Sequence, residues 1–335
     1  MISKENLHQL FSDFNNLQVL IIGDVMVDGY YWGKVDRISP EAPVPIVAVS
    51  KKESRMGGAA NVALNIQALG ANPILCSVIG EDEDGQEFLS LVDKNHQSKA
   101  GIVQSSERRT TKKTRIIGNN AQMLRVDAED VHPLCEKEEE AFLANIKSLM
   151  DSQKIDAIIF EDYDKGVLTP SVIQTIVQLA KSKNIPTTVD PKKQNFMNYF
   201  EVDLFKPNLK ELKEGLKLEI DANDLNELKS AIEQLEKHLN NKNTLITLSE
   251  KGVYIHNANE AHHISAHRRD ITDVSGAGDT VISVASLCLA LKQPLRLIAE
   301  LSNLAGGLVC ENVGVVPINK TTLAKEAEKL LVSEV

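Results

Sequence analysis

The sequence predicts an α/β fold in three layers: a mostly parallel sheet with helices on both faces, and a small β-sheet projecting from it as a lid. Three observations carry this. Short runs rich in Val and Ile alternate with helical stretches of roughly ten to fifteen residues, the rhythm of βαβ units around a parallel sheet. One segment breaks the rhythm, because Pro40, Pro43 and Pro45 fall within six positions, which forbids helix and suits exposed edge strands. At 335 residues the chain suits one large α/β unit, expected over 1–335, better than two equal domains.

Taken in order, residues 3–14 read as a short amphipathic helix and Val19–Asp24 as a buried strand. Functional residues in such sheets sit at the carboxyl ends of strands. Asp24 is therefore either a turn or cap residue or an acceptor for sugar hydroxyls. The Pro-rich stretch, with alternation returning at Ile46–Val49, gives one lid segment at about 28–52. It holds the only Trp and two of the five Tyr (Tyr30, Tyr31, Trp32), which calls for a covered face, by ligand or by a second subunit.

Gly57-Gly58 opens a helix in which Asn61 lies one turn in, offering backbone and amide donors to a polyol. Strand 74–79 and helix 84–95 lead to the second lid segment, about 108–127, with strands at 109–118 and 121–127. That segment carries Arg108, Arg109, Lys112, Lys113, Arg115 and Arg125. The cluster is either a solvated strand face or a site for a phosphate on the substrate, since Arg and Lys suit phosphate.

Strand 156–160 delivers Asp162 and Lys165 on a loop, Thr169-Pro170 starts a helix with a cap and an N1 proline, and Asp190-Pro191-Lys192 repeats the arrangement. Asn208 and Glu211 fit a capping box. Strand 244–248 runs into Ser249-Glu250-Lys251-Gly252, and a helix from Leu297 to Cys310 carries Asn303. His262, His263 and His267 lack helical metal-ligand spacing and read as surface residues.

The chain centres on Asp273-Val274-Ser275-Gly276-Ala277-Gly278-Asp279-Thr280, which runs straight into apolar helix. Two glycines one residue apart bring backbone close to a ligand. The helix start beyond them leaves N–H groups free for an anion such as phosphate. A carboxylate there either complements the helix dipole or takes a proton from a hydroxyl while those N–H groups hold charge developing on phosphate.

Composition narrows the partners. A net charge of -10 argues against nucleic acid or an anionic membrane. The apolar run around 281–291 is too short to span a bilayer, and the charged N-terminus is followed by no apolar core of signal-peptide type. Cys76, Cys135, Cys288 and Cys310 are scattered, so reduced thiols in a cytoplasmic protein are expected and zinc is not.

The segment Asp273–Thr280 resembles the C-terminal signature of the ribokinase/pfkB family of sugar kinases, with Ser275 where Thr is usual. Met56–Ala63 is similar to that family's sugar-binding signature, and Asn208-x-x-Glu211 to its third. The resemblance covers roughly 17–325 and implies a ribokinase-like three-layer αβα sandwich. It also implies Asp279 as catalytic base, with the N–H groups of Gly276, Ala277 and Gly278 as anion hole. Asp24, Gly57, Gly58, Asn61, Arg37, Lys113, Arg115, Arg125, Asp162 and Lys165 are expected on the sugar phosphate. On the nucleotide side stand Asp190, Lys192, Asn208, Glu211, Ser249, Glu250, Gly252 and Asn303. ATP and Mg2+ are implied cofactors, with Glu211 reaching magnesium through water. Asp273 is a candidate ligand for a monovalent cation such as K+, though Asn312–Val315 departs from the family there. A homodimer through the lid sheets is a further implication.

Within the family, 23–28, 37–45, Asp162-Tyr163-x-Lys165-Gly166 and Asp190-Pro191-Lys192 resemble the branch acting on D-glycero-β-D-manno-heptose 7-phosphate. Its members phosphorylate the 1-hydroxyl on the way to ADP-heptose for lipopolysaccharide, and are often joined to an adenylyltransferase half. The resemblance ends with the kinase part, so nucleotide transfer is not expected here. Rival readings are a kinase of ribose, fructose or fructose 6-phosphate, and a sugar-phosphate-binding regulator without catalysis.

Overall fold

In the computed structural model of the chain, which describes residues 2–221 and 223–332, helix α1 (Lys4–Asp13) leads into strand β1 (Gln18–Gly23). Val19 and Ile21 of this strand join one apolar cluster, while Leu20 and Ile22 join another. Adjacent strand residues point to opposite faces, so a strand that is apolar throughout needs helices on both sides. The two ends of the expected 1–335 unit, Met1 and 333–335, lie outside the described residues.

Strands β2 (Val25–Ile38) and β3 (Pro45–Gly58) then form a long hairpin, followed by α2 (Ala59–Ala68), β4 (Asn72–Gly80), α3 (Glu83–Lys94) and β5 (Gly101–Ser105). Strands β6 (Lys112–Gly118) and β7 (Ala121–Ala128) join that hairpin in a second sheet of order β3-β2-β6-β7. Only the β2–β6 pair in it is parallel. The chain returns through α4 (Glu136–Ser152), β8 (Ala157–Glu161), α5 (Pro170–Ser182), β9 (Thr187–Asp190), β10 (Leu204–Phe205), α6 (Leu209–Leu216), α7 (Leu225–Leu239) and β11 (Asn243–Thr247). Strands β12 (Val253–Asn257) and β13 (Ala261–Ile264) precede α8 (Ala277–Ala290), α9 (Leu295–Val309) and α10 (Lys320–Leu331).

The main sheet has the order β13-β12-β11-β10-β9-β8-β1-β4-β5, parallel from β11 to β5 and antiparallel at β12 and β13. Residues of α1, α2, α8, α9 and α10 fill the cluster on one face, and those of α4, α5 and α7 fill the other. This is the mostly parallel three-layer sandwich with a small projecting sheet that the sequence predicts. Strand order reverses beside β1, whose neighbours are β4 and β8. The crevice beyond the carboxyl ends of strands at such a reversal is where ligands bind in open α/β sheets.

Candidate active site

Four strands deliver ionisable groups to that crevice. Asp24 follows β1, Glu161 ends β8, Asp190 ends β9 and Lys206 follows β10; all four are buried. Facing them is the start of α8, whose cap Gly276 has φ 78°. A β-carbon there would crowd the side-chain ends of Val315 at 3.0 Å and Asn61 at 3.1 Å, and the conformation itself favours glycine. At Gly278 a β-carbon would come within 3.4 Å of Asp190 Oδ2 and 3.7 Å of Lys206 Nζ, which places the helix start directly over that ion pair.

Asp279, in the first turn of α8, is buried. Asn61 Nδ2 donates to its Oδ2 at 2.5 Å and the Tyr163 hydroxyl to its Oδ1 at 3.0 Å. Burial pushes this carboxyl above its ordinary value and the charge of Asp190 adds to that, while Asn61, Tyr163 and Lys206 pull it down. Of the three N–H groups expected to form an anion hole, that of Ala277 meets the Val274 carbonyl at 3.3 Å.

Carboxylate oxygens of Glu161, Asp190 and Asp279 all lie within 4.8 Å of one another. Glu161 is fully buried and neither of its oxygens has a hydrogen-bond partner. Burial, with the charges of Asp190 and Asp279, holds its carboxyl well above the ordinary range against the pull of Lys192 and Lys206. Burial alone would raise Asp190 too, but Lys192 and Lys206, the latter at 2.8 Å, outweigh it and keep that carboxyl low. Lys192 reaches Asp190 at 3.4 Å and Glu211 at 3.0 Å, joining two residues expected on the nucleotide side. A trio of buried carboxylates with two unpartnered oxygens suits a hard divalent cation.

Glu211 is not in that trio. Its Oε2 accepts from the Asn208 N–H at 2.8 Å while Asn208 Oδ1 accepts from the Glu211 N–H at 2.8 Å, a complete capping box on α6. Glu161, Lys206 and Tyr163 escaped sequence reading. Glu161 and Tyr163 flank Asp162 and Lys206 lies two residues before Asn208, so each is close to a residue that was singled out, at a strand end or shortly after it, which is the signal that would have found them.

Several expected sugar contacts have other work. Asp24 accepts three backbone N–H groups, from Tyr163 (2.9 Å), Lys165 (3.1 Å) and Val167 (3.1 Å), so it ties down the loop after β8. Asp162 turns inward to Tyr199 (2.7 Å) and Asn195 (3.1 Å), and burial with the nearby Asp24 charge pushes its carboxyl to about 7. Both are buried loop anchors, and Asp28 on β2 is buried as well. Asp28 receives Arg115 at 2.6 Å, and a β-carbon at Gly57 would sit 2.2 Å from its Oδ2. At Gly58, with φ 62°, a β-carbon would meet the Asp24 carbonyl at 2.3 Å.

The basic cluster on the lid is a network of ion pairs. Lys165 and Lys113 share Glu129 at 2.9 and 3.8 Å, Lys112 meets Asp84 and Glu87, and Arg125 meets Asp127 at 2.9 Å. Cross-strand pairing puts Asp28, Tyr30, Lys113, Arg115 and Arg125 on one face of the sheet. Arg55 and Arg115 lie 5.0 and 5.2 Å from the Tyr30 ring centre, covering the aromatic face from within the chain. Arg37 is exposed near the end of β2, and among the described residues it makes no ion pair.

On the other side of α8, Asp273 accepts the N–H groups of Ser275 and Gly314, both at 2.9 Å. Burial works against these bonds, yet they keep its carboxyl below the ordinary value. Asp273 thus braces two loops, and two donors already face the oxygens expected to hold a monovalent cation. Asn303 donates to the Ser265 carbonyl at 2.9 Å, fixing the segment after β13 over α9. Ser249 and Glu250 are exposed in a short turn closed by Gly252, where a φ of 89° and the 2.0 Å at which a β-carbon would meet the Ile264 carbonyl exclude a side chain. No hydrogen bond joins that turn to the carboxylate trio among the described residues.

A crevice at the strand reversal, a glycine-capped helix start and a buried carboxylate make up the candidate site, and comparison places the chain in a class. The chain belongs to the pfkB family of carbohydrate kinases, whose pattern matches residues 16–322, and it is a sugar kinase. It is 42% identical over 296 residues to the bifunctional protein HldE of Wolinella succinogenes, covering 88% of this chain and 61% of that one. To the bifunctional protein HldE of Trichlorobacter lovleyi it is 38% identical over 314 residues, covering 93% and 63%. The chain thus spans about three fifths of the length of these relatives. Among solved structures it matches Escherichia coli phosphofructokinase-2 in complex with potassium at a TM-score of 0.75 and 16% identity, over 92% of this chain and 97% of that one. Arabidopsis thaliana ribokinase complexed with ribose and ATP follows at 0.70 and 16%, over 92% and 98%. At such identities the likeness is one of fold.

Proposed function

We propose that this kinase transfers the γ-phosphoryl group of ATP to the 1-hydroxyl of D-glycero-β-D-manno-heptose 7-phosphate, giving the 1,7-bisphosphate on the way to ADP-heptose. The observation that carries the reading is Asp279, a buried carboxylate in the first turn of α8, held on both oxygens by Asn61 and Tyr163. From there it takes or orients the proton of the attacking hydroxyl. The N–H groups of Gly276 and Gly278 face the charge on the transferring group, and Lys206 sits beside them as a fixed cation.

Glu161 and Asp190 are the residues that would hold Mg2+, with Glu211 behind Lys192. When bound, that ion neutralises phosphate charge and aligns the phosphates for in-line transfer. The choice of a heptose phosphate rests on the motifs that resemble that branch, supported by the lid face bearing Lys113, Arg115 and Asp28. On this reading the 7-phosphate replaces Glu129 as partner of Lys113 and Lys165. K+ is a further proposal, at the loops that Asp273 braces. We also assign a homodimer through the lid, because Leu124 and Val126 are exposed on the face that pairs with Ile116 and Thr114.

The test is ADP release from Mg-ATP with heptose 7-phosphate beside ribose, fructose and fructose 6-phosphate. Strong preference for the heptose phosphate is expected. Turnover of another sugar alone would leave the kinase and remove the substrate assignment.

A further inference from the structure

Lys113 and Lys165 belong to different parts of the molecule. Lys113 lies on lid strand β6, opposite Asp28 of β2, while Lys165 stands on the loop after β8 of the main sheet. The backbone of Lys165 is held on both sides. Its N–H goes to Asp24 at 3.1 Å, and its carbonyl accepts Arg108 Nη2 at 2.6 Å. Both lysine side chains are largely buried, with 17% and 14% of their surface exposed. An ammonium so placed needs an anion, and among the described residues the only carboxylate paired with either is Glu129.

Glu129 serves the two lysines unevenly. It stands just past the end of β7, where Asp130 accepts the Arg109 N–H at 2.8 Å and Leu134 donates to the Gly166 carbonyl at 3.1 Å. Those bonds pin the segment that runs from lid to main sheet. Glu129 Oε1 meets Lys165 at 2.9 Å, but Oε2 stops 3.8 Å from Lys113, beyond hydrogen-bond reach. That oxygen is buried and has no hydrogen-bond partner among the described residues. Arg108 Nη1, on the guanidinium that holds the Lys165 carbonyl, is buried without one as well. A carboxylate offers two oxygens and one charge. A phosphate monoester offers three oxygens and a charge of about −1.5 to −2, enough to meet both ammoniums at once.

We propose that Glu129 is a built-in stand-in for the acceptor's phosphate: it occupies Lys113 and Lys165 in the free enzyme and yields to a phosphate delivered on a bound sugar. This rests on the reading of those lysines as the place of the 7-phosphate. A phosphate tethered to a sugar that other residues already hold competes at high effective concentration. Free inorganic phosphate lacks that advantage and leaves Glu129 in place. After transfer the same carboxylate returns to the lysines and helps the product leave. Glu129 thus sets selectivity by opposing every anion, without touching the sugar.

The experiment compares Glu129→Gln and Glu129→Ala with the wild type, in ADP release with heptose 7-phosphate and in thermal unfolding with inorganic phosphate. With the competitor gone, KM for the sugar phosphate should fall about three- to tenfold, and inorganic phosphate should become a competitive inhibitor against it. Phosphate should also raise the thermal midpoint of both variants more than that of the wild type, since a ligand of the folded state stabilises it. Adding Lys113→Met to Glu129→Gln should abolish that gain. An unchanged KM with no new inhibition by phosphate overturns the proposal, because a purely structural carboxylate would lower the midpoint and tighten nothing. So does a gain that survives Lys113→Met, since the phosphate is then bound elsewhere. A wild type that turns over no heptose 7-phosphate removes the substrate assignment, and the phosphate-dependent midpoints, which need no acceptor, still decide the role of Glu129.

Discussion

Replacing Gly58 by alanine should harm the protein in a way that replacing Gly57 does not. Gly58 caps α2 at φ 62° and ψ -138°, a conformation essentially closed to other residues. Holding alanine there costs of order 1–3 kcal/mol. The new methyl would also lie 2.3 Å from the Asp24 carbonyl oxygen, which accepts the Ala59 N–H at 2.9 Å and cannot swing aside alone. Overpacking of that kind adds about 1–3 kcal/mol. The sum, about 2–6 kcal/mol, is a large part of the stability of an ordinary domain. At Gly57 the methyl would press on Asp28 Oδ2 at 2.2 Å, the end of a side chain that can rotate. There the damage should fall on the Asp28–Arg115 pair and on KM for the sugar phosphate, with less change in stability. Denaturant unfolding of both variants, at a common slope, measures the difference. A Gly58→Ala midpoint equal to that of the wild type would refute the close approach on which the site geometry depends.

Two further outcomes follow from the buried charges. Glu161 has a folded-state affinity for protons above that of the unfolded chain, so its contribution to stability is present at low pH and lost as pH rises through its raised value. Glu161→Gln should therefore gain stability over the wild type by a margin that grows with pH, while needing more Mg2+ for half-maximal activity; a margin flat with pH would contradict the burial. Lys206→Met leaves Asp190 with Lys192 alone, and should cost about 3 kcal/mol, the low end for breaking a buried pair. An unchanged thermal midpoint would count against that pair.

Much of this was legible from residues alone. The Val- and Ile-rich strands, the Pro-broken lid and the Gly-Ala-Gly-Asp helix start announce themselves because each depends on local pattern. What stayed hidden depends on which way a side chain turns. Asp24 and Asp162 end or follow strands where ligand contacts are common, yet their oxygens are taken by the chain itself. Glu161 is the last residue of its strand, and alternation alone does not say that it points at Asp279. The lid cations look like a positive patch in sequence, but Asp28 comes to them from another strand, Glu129 from a loop, Asp84 and Glu87 from a helix, and Asp127 from the same strand as Arg125. Capping signals fared better, since Asn208 and Glu211 are three residues apart and need no distant partner.

The measurement that bears most directly on the account is the rate of ADP release by Asp279→Asn beside the wild type, at saturating Mg-ATP and heptose 7-phosphate. Asparagine keeps the shape and can still accept a hydrogen bond, but it cannot take the proton. The account predicts a fall in kcat of about 10²–10⁴-fold with an unchanged thermal midpoint. A variant that turns over at the wild-type rate would contradict it, and would leave the start of α8 as a phosphate-binding element with the base elsewhere.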